Sequence, residues 1–310
     1  MTTPQISLQL KTFTDDPDHD WSSTLALGRA MDAAGIDRVV VSDHVVFGEN
    51  PAAYANPALG GIAGGRQPTG PDGQWLDPLT VLTALAANTS RIRLGTAILL
   101  AALRRPAVLA KQVSTLDVLS GGRVDLGVGV GWQREEYEAA GLPFERRGRL
   151  LDHTLEVCQQ LWTQQRSTYQ SPELSFTDIH QMPKPVQAGG VPIWVSGTVN
   201  VAVARRLTRF GRGWIPWGAA IADPAGAITA MKDKISDLGG DPTGLQVLGH
   251  GRTVKREDRS VDLAASAASA VPLIAAGVTD VRFTLSLPKD VSQATDLLAE
   301  LVAEFRSATR

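Results

Sequence analysis

Eight short apolar runs recur along this chain, and a stretch with helical spacing follows each of them. The runs are ISLQL (6–10), DRVVVSDH (37–44), RIRLGTAILL (91–100), RVDLGVG (123–129), VPIWVSG (191–197), GRGWIPWG (211–218), LQVLGHGRTV (245–254) and VTDVRFTLSL (278–287). They read as continuous rather than alternating apolar stretches, as strands do in a parallel sheet buried on both faces. Eight βα units in 310 residues point to a closed (β/α)8 TIM barrel, a fold of typically ~250 residues before insertions. An open doubly wound sheet is the structural rival. No linker cuts the chain, so residues 1–310 are read as a single barrel domain, with insertions after the second strand and before the fifth.

The helix signals agree with this rhythm. Gly35 follows the periodic stretch STLALGRAMDAA, as a left-handed C-terminal cap does. Asp77 precedes Pro78 at the start of another, the order expected of an N-cap and first helical residue. LAASAASAVPLIAAG (263–277) reads as one helix. Two segments stand outside the rhythm: Val45 to Trp75, and an irregular stretch from 167 to 190. Loops of this length in a compact domain are usually functional, and both are expected to cover a pocket.

A net charge of −2 supplies no electrostatic reason for nucleic acid or a membrane surface as partner. No apolar stretch approaches the ~20 residues of a membrane-spanning helix. The opening MTTPQISLQLKTFTDD lacks the basic and apolar regions of a signal peptide, so a cytoplasmic protein is the expectation. The single cysteine, Cys158, excludes disulfides within the chain and cysteine metal clusters. It shares a helical face with Leu151, Leu155 and Trp162 and is read as a core residue.

Barrel active sites lie at the C-terminal ends of the strands, which reduces the search to a few residues. The second strand ends in Ser42-Asp43-His44, the third in a run from Gly95 to Leu100, and the fifth in Ser196-Gly197-Thr198-Val199-Asn200. His44 is the candidate for proton transfer near neutral pH, although neighbours on a strand point apart and Asp43 need not touch it. His19, His153, His180 and His250 are read as surface or packing residues. The histidines lack metal-ligand spacing, and no metal is expected. Glu135 and Glu136 are adjacent and read first as charges suited to a helix N-terminus.

The fourth run continues into GGRVDLGVGVGW (121–132), with alternating glycines. A dinucleotide-binding turn is excluded, because Trp132 stands where that fingerprint needs a small residue and helix follows where it needs a strand. Two readings of the glycines remain. Either they permit close packing, or they let a flat ring lie against bare strand backbone. The small polar turn after the fifth strand would then hold phosphate on free N–H groups. Arg205, Arg206, Arg209 and Arg212 lie near enough for a longer anionic tail, or form a solvated helix face.

SDHVV, LGTAILLAALRRPAVLAKQVSTLDVLSGGR, LGVGVGWQREEYEAAGLPFERRGRLLD and VPIWVSG together resemble the bacterial luciferase-like flavin monooxygenase superfamily, within it the branch using the deazaflavin coenzyme F420. The resemblance implies a TIM barrel with a reduced flavin or deazaflavin at the strand ends and His44 as the catalytic proton donor or acceptor. It implies Asp43 beside the ring, a non-prolyl cis peptide at Ala97-Ile98 against it, and Val130, Gly131 and Trp132 lining the pocket with Glu135 nearby. Gly197, Thr198 and Asn200 would hold the phosphate. Relatives that oxidise sugar phosphates carry a glutamate in place of Trp132 and a tryptophan in place of Phe47-Gly48, so that substrate is not expected. The implied function is F420-dependent hydride transfer to or from a small organic substrate. An FMNH2-dependent monooxygenase served by a separate reductase, and a non-catalytic flavin-binding barrel, are the alternatives. A homodimer is expected, and the substrate is left open.

Overall fold

The computed structural model describes residues 3–310. Eight parallel strands close into a barrel: β1 (Gln5–Gln9), β2 (Arg38–Val41), β3 (Arg93–Thr96), β4 (Val124–Val128), β5 (Ile193–Gly197), β6 (Gly211–Pro216), β7 (Gln246–His250) and β8 (Asp280–Phe283). Register between first and last strands, with Leu8 opposite Phe283, completes the closure. The surrounding helices are α1 (Ser22–Ala34), α2 (Pro78–Asn88), α3 (Pro106–Ser120), α4 (Arg134–Ala139), α5 (Arg147–Thr163), α6 (Val201–Phe210), α7 (Pro224–Asp237), α8 (Leu263–Ala268), α9 (Ala270–Ala275) and α10 (Val291–Ala308). No helix of the described residues is long and apolar enough to cross a membrane.

Outward-facing strand residues and inward helix faces form one apolar layer, which includes Ile6, Leu8, Val39, Leu94, Leu126, Val195, Val247 and Val281. Cys158 is buried and free in this layer beside Leu155 and Trp162. Gly35 caps α1 at φ +96°, and the Asp77 carboxylate accepts the Thr80 N–H at 2.8 Å to cap α2.

The barrel interior is unusual in being largely polar. Branched apolar residues usually fill it, yet here Ser7, Arg38, Asp125, Asp280 and Arg282 are buried. Asp125 accepts from Arg38 Nε at 2.8 Å and Arg93 Nε at 2.6 Å. Asp280 pairs with Arg38 and accepts the Ser7 hydroxyl at 2.5 Å. The Arg38 guanidinium also lies 4.4 Å over the Trp194 ring. Burial alone would raise the Asp125 carboxyl, but Arg38 and Arg93 outweigh it and hold the group below its ordinary range.

Three local expectations are corrected. Residues 167–190 are not irregular: 167–170 and 175–179 pair as an antiparallel hairpin. This insertion does not reach the pocket described below. Asp117 near the C-terminal end of α3 accepts the Val186 N–H at 2.9 Å, and Gly190 packs on Trp162. The hairpin lies along the outside of α5, with the Tyr169 hydroxyl donating to Glu156 at 2.9 Å and Glu173 paired with Arg149 at 3.0 Å. The stretch after the seventh strand is two short helices rather than one. Pro272 has no N–H for the Ala268 carbonyl and its ring would crowd that oxygen, so the helix restarts near Ser269.

The other insertion, from Val45 to Trp75, does lie over the barrel mouth. Trp217 Nε1, just past β6, donates to the Gly60 carbonyl at 3.0 Å. Gln133 grips the start of the segment, accepting the Gly48 N–H and donating to the Val46 carbonyl, both at 2.7 Å. Its end returns as a two-residue strand against Phe13–Thr14, with the Phe13 and Trp75 rings stacked at 4.3 Å.

Candidate active site

Side chains at the C-terminal ends of the strands and beneath this covering segment enclose a cavity of about 450 Å3. Gln9, Ser42, Ala97, Gly129, Ser196 and His250 form its lower ring, one contribution from each of six strands or their immediate continuations. Phe13, Tyr54, Trp75, Trp132 and Trp217 make the upper wall aromatic. A second cavity of about 930 Å3 adjoins it, sharing Gly60, Val130, Ser196, Gly197 and Trp217. The volumes are in the range of small-molecule and cofactor sites.

His44 stands where the strand-end rule puts it, in the wall of the first cavity. Its Nδ1 lies 3.2 Å from Glu136 Oε1. The same oxygen accepts the Val45 N–H at 2.9 Å. A carboxylate only accepts, so Nδ1 is the donor in this contact, and in the neutral ring Nε2 carries the lone pair. The ring is further held by Phe47 at 4.4 Å and by the edge of Trp75 at 4.6 Å. Glu136 is fully buried on α4, and its Oε2 has no hydrogen-bond partner among the described residues.

Of the adjacent glutamates, the one that contacts His44 is Glu136. Glu135 is exposed, its side chain lies against Gly48, and it is not part of the cavity wall. Their opposite fates follow from adjacent helical residues facing different ways. Both stand in the first turn of α4, where the helix dipole favours negative charge, and Glu136 in addition contacts His44 and the Val45 amide.

Asp43 also lines the cavity, but its carboxylate is engaged elsewhere. Oδ2 accepts the Leu100 N–H at 2.8 Å and Arg104 Nη1 at 2.6 Å, while Oδ1 accepts Arg104 Nη2 at 3.1 Å. Asp43 thus anchors the segment that follows β3. Within that segment the Ala97–Ile98 peptide is cis, and both residues face the cavity.

The glycine run receives a different reason at each position. A Cβ on Gly127 would run into the Thr96 carbonyl oxygen of the neighbouring strand, so this glycine answers to close packing. Gly129 and Gly131 line the cavity. A Cβ on Gly129 would meet Ile98 Cδ1 at 2.5 Å, and Gly131 sits at φ +68° against Leu100. Val130 and Trp132 complete this wall.

The predicted phosphate residues belong to the second cavity. Gly197, Thr198 and Asn200 line it together with Arg147 and Arg206. Asn200 Oδ1 caps α6 by accepting the Val203 N–H at 2.9 Å. Arg206 is paired with Asp152 at 2.5 Å and Arg209 with Glu156 at 2.7 Å, while Arg205 and Arg212 are exposed. Arg206 and Arg147 are thus the arginines beside the turn.

His250 and Arg282 escaped the sequence reading, and both line the main cavity. A strand running through to Val254 makes His250 a surface or packing residue, but β7 ends on His250 itself. Ended there, the same rule that selected His44 selects His250. Desolvation and the adjacent Arg282 charge pull its imidazole down to about 4. Arg282 is buried, and burial pulls its guanidinium down to about 10.

The arrangement fits a flat cofactor with an anionic tail. Ala97, Ile98, Gly129 and Val130 line the same cavity as His44, and Trp132 Nε1 is buried with no hydrogen-bond partner among the described residues. The second cavity supplies hydroxyl, guanidinium and helix N-terminal N–H groups for a phosphate. Among the described residues no group of His, Cys, Asp and Glu is arranged to hold a metal ion.

Known proteins resemble this chain in sequence and in fold. An uncharacterised protein of Mycobacterium tuberculosis (strain ATCC 25618 / H37Rv) is 41% identical over 140 residues, 45% of this chain and 49% of that protein. An F420-dependent glucose-6-phosphate dehydrogenase of Segniliparus rotundus is 34% identical over 191 residues, 60% of this chain and 50% of the relative. The matched stretch spans about half the length of these relatives. In fold, the chain superposes with a TM-score of 0.72 on the oxygenating constituent of 3,6-diketocamphane monooxygenase of Pseudomonas putida, solved with FMN. That match has 13% identity and covers 100% of this chain and 99% of that one. The sequence profile of the luciferase-like monooxygenases matches residues 3–272, nearly the whole barrel. With its closed parallel barrel and its pocket at the strand ends, the chain belongs to the luciferase-like monooxygenase family.

Proposed function

We propose that this chain is a coenzyme F420-dependent oxidoreductase that moves a hydride to or from a small organic substrate, with His44 handling the accompanying proton. The observation that carries the reading is the His44–Glu136 pair at the wall of the main cavity. The 34% identical relative named as F420-dependent supports the choice of cofactor. Trp132, Phe47 and Gly48 depart from the pattern of sugar-phosphate oxidisers, so the substrate class is a different one.

When bound, the deazaflavin supplies a ring carbon that accepts or gives a hydride. Gly129, Gly131 and the Ala97–Ile98 segment would hold its ring, and Thr198, Asn200, Arg147 and the start of α6 would hold its phosphate; these residues line the two cavities. Glu136 holds His44 in the Nδ1–H tautomer. Nε2 then accepts the hydroxyl proton of a substrate being oxidised, or, once protonated, returns it to a carbonyl being reduced. The segment from Val45 to Trp75 excludes water from above, and Phe13, Trp75 and Tyr54 give the substrate an apolar wall.

The test is a panel of small alcohols and carbonyl compounds, followed by deazaflavin absorbance, with wild type and His44→Ala side by side. Wild type turns over a member of the panel, and His44→Ala loses that turnover while still binding the deazaflavin. Turnover by His44→Ala at the wild-type rate removes His44 from the mechanism.

A further inference from the structure

Arg282 stands apart from the other buried ionic groups of the barrel. Arg38 and Arg93 share Asp125, and Arg38 also takes Asp280. Those contacts engage both interior aspartates and leave Arg282 without a carboxylate. Its Nε and Nη2 are buried and have no hydrogen-bond partner among the described residues. The side chain is 6% exposed and lines the main cavity.

A buried guanidinium with idle donors is costly unless something pairs with it. Among the described residues no carboxylate bonds to it: Asp280, two positions earlier on β8, acts on its charge but is taken up by Arg38 and Ser7. Asp43, the carboxylate in the cavity wall, is held by Arg104 and the Leu100 amide. His250, opposite Arg282 on the adjoining strand, offers a neutral ring rather than a negative charge. A second cation, Arg66, stands exposed in the same wall, with no ion pair among the described residues. The cavity is thus positively charged at its floor and aromatic along its sides.

We propose that Arg282 is a specificity-determining residue that seats a carboxylate of the substrate, so that this pocket takes an aromatic or other apolar compound carrying an oxyanion. Nη1 is the guanidinium nitrogen that is neither closed off nor bonded among the described residues, so it is the donor a carboxylate oxygen reaches, and the low dielectric of the floor strengthens the contact. His250 lies beside the seat as a neutral hydrogen-bonding partner. The assignment rests on the reading of this cavity as the substrate site, and it narrows the substrate class left open there.

Isothermal titration of the full chain without cofactor compares benzoate with its uncharged counterpart benzyl alcohol. Wild type binds benzoate at least about tenfold more tightly, the order of difference a charge-assisted contact supplies. Arg282→Met abolishes that preference and Arg282→Lys keeps part of it. Thermal unfolding of Arg282→Met shows a melting temperature equal to or above that of wild type, because an unpaired buried cation has been removed. Equal affinity of wild type for both compounds, or an undiminished benzoate preference in Arg282→Met, overturns the proposal. So does a marked fall in melting temperature, which makes Arg282 a structural residue. Deazaflavin titration of the same variant separates two sources of the oxygen. Unchanged affinity assigns it to the substrate, and a loss there with benzoate binding intact assigns it to the cofactor ring and overturns the proposal. Because the benzoate comparison needs no cofactor, it decides the role of Arg282 even where the F420 reading fails.

Discussion

Glu136 Oε1 lies 3.2 Å from His44 Nδ1 and joins helix α4 to the end of β2 across 92 positions of the chain. Through that contact a buried carboxylate selects which ring nitrogen meets the cavity. Glu136→Gln offers the imidazole either an acceptor or a donor, and the tautomer is no longer fixed. We expect turnover to fall ~10–100-fold, less than the ~100–10,000-fold available to the general acid–base group itself. Deazaflavin affinity stays the same, because Glu136 does not border the cavity. Parallel kcat and binding measurements check this, and a loss confined to cofactor affinity contradicts it.

Asp43 is a positioning residue. Its two oxygens hold Arg104 and the Leu100 amide, and so fix the segment that presents Ala97 and Ile98 to the cavity. Asp43→Ala leaves a largely buried arginine with Asp77 as its remaining carboxylate. We expect a loss of about 2–3 kcal/mol in urea unfolding, the scale of hydrogen bonds to a charged group, accompanied by weaker cofactor binding. Asp43→Asn retains part of both.

The two kinds of glycine in the fourth strand and its continuation should separate on mutation. Gly127→Ala drives a methyl group into the Thr96 carbonyl, a backbone atom that cannot step aside. A loss of about 1–3 kcal/mol follows, as for other overpacked sites. Gly129→Ala meets the tip of the Ile98 side chain at the cavity surface. Its main effect is weaker cofactor binding with a smaller change in stability. Thermal unfolding and cofactor titration of both variants give the comparison.

Stability should fall in mildly acidic solution because of His250. Its imidazole is held at about 4 by desolvation and Arg282, against an ordinary value of about 6.5. Above about pH 6.5 folded and unfolded chains are both neutral at this residue. Between about 6.5 and 4 the unfolded chain takes up the proton first, and the fold loses stability as pH drops. Asp125, whose carboxyl is held low by its arginines once burial is outweighed, adds a further loss as the pH falls below about 4 toward its folded value. Urea unfolding across this window should show the decline, and His250→Gln should flatten its upper part.

The barrel was legible because each strand carries its own apolar run and each helix its own period and caps, as Gly35 and Asp77 show. Those are local signals. The site is not local. His44 could be found from its place at a strand end, but Glu136 acquires its meaning only when α4 packs against that end. Arg282 alternates with Asp280 on the inner face of β8, a pattern visible in TDVRF. Its lack of a partner depends on how Arg38 from β2 and Arg93 from β3 divide the aspartates once the barrel closes. The hairpin at 167–179 was missed for a related reason: its burial is slight and its sequence has no clean alternation.

The central claim is that the paired cavities are built for a deazaflavin. Titration of the purified chain with F420 and with FMN, followed by absorbance and fluorescence, tests it most directly. The account predicts saturable F420 binding, with FMN at least about tenfold weaker, a difference of ~1.4 kcal/mol. Tight FMN binding without affinity for F420 would contradict it.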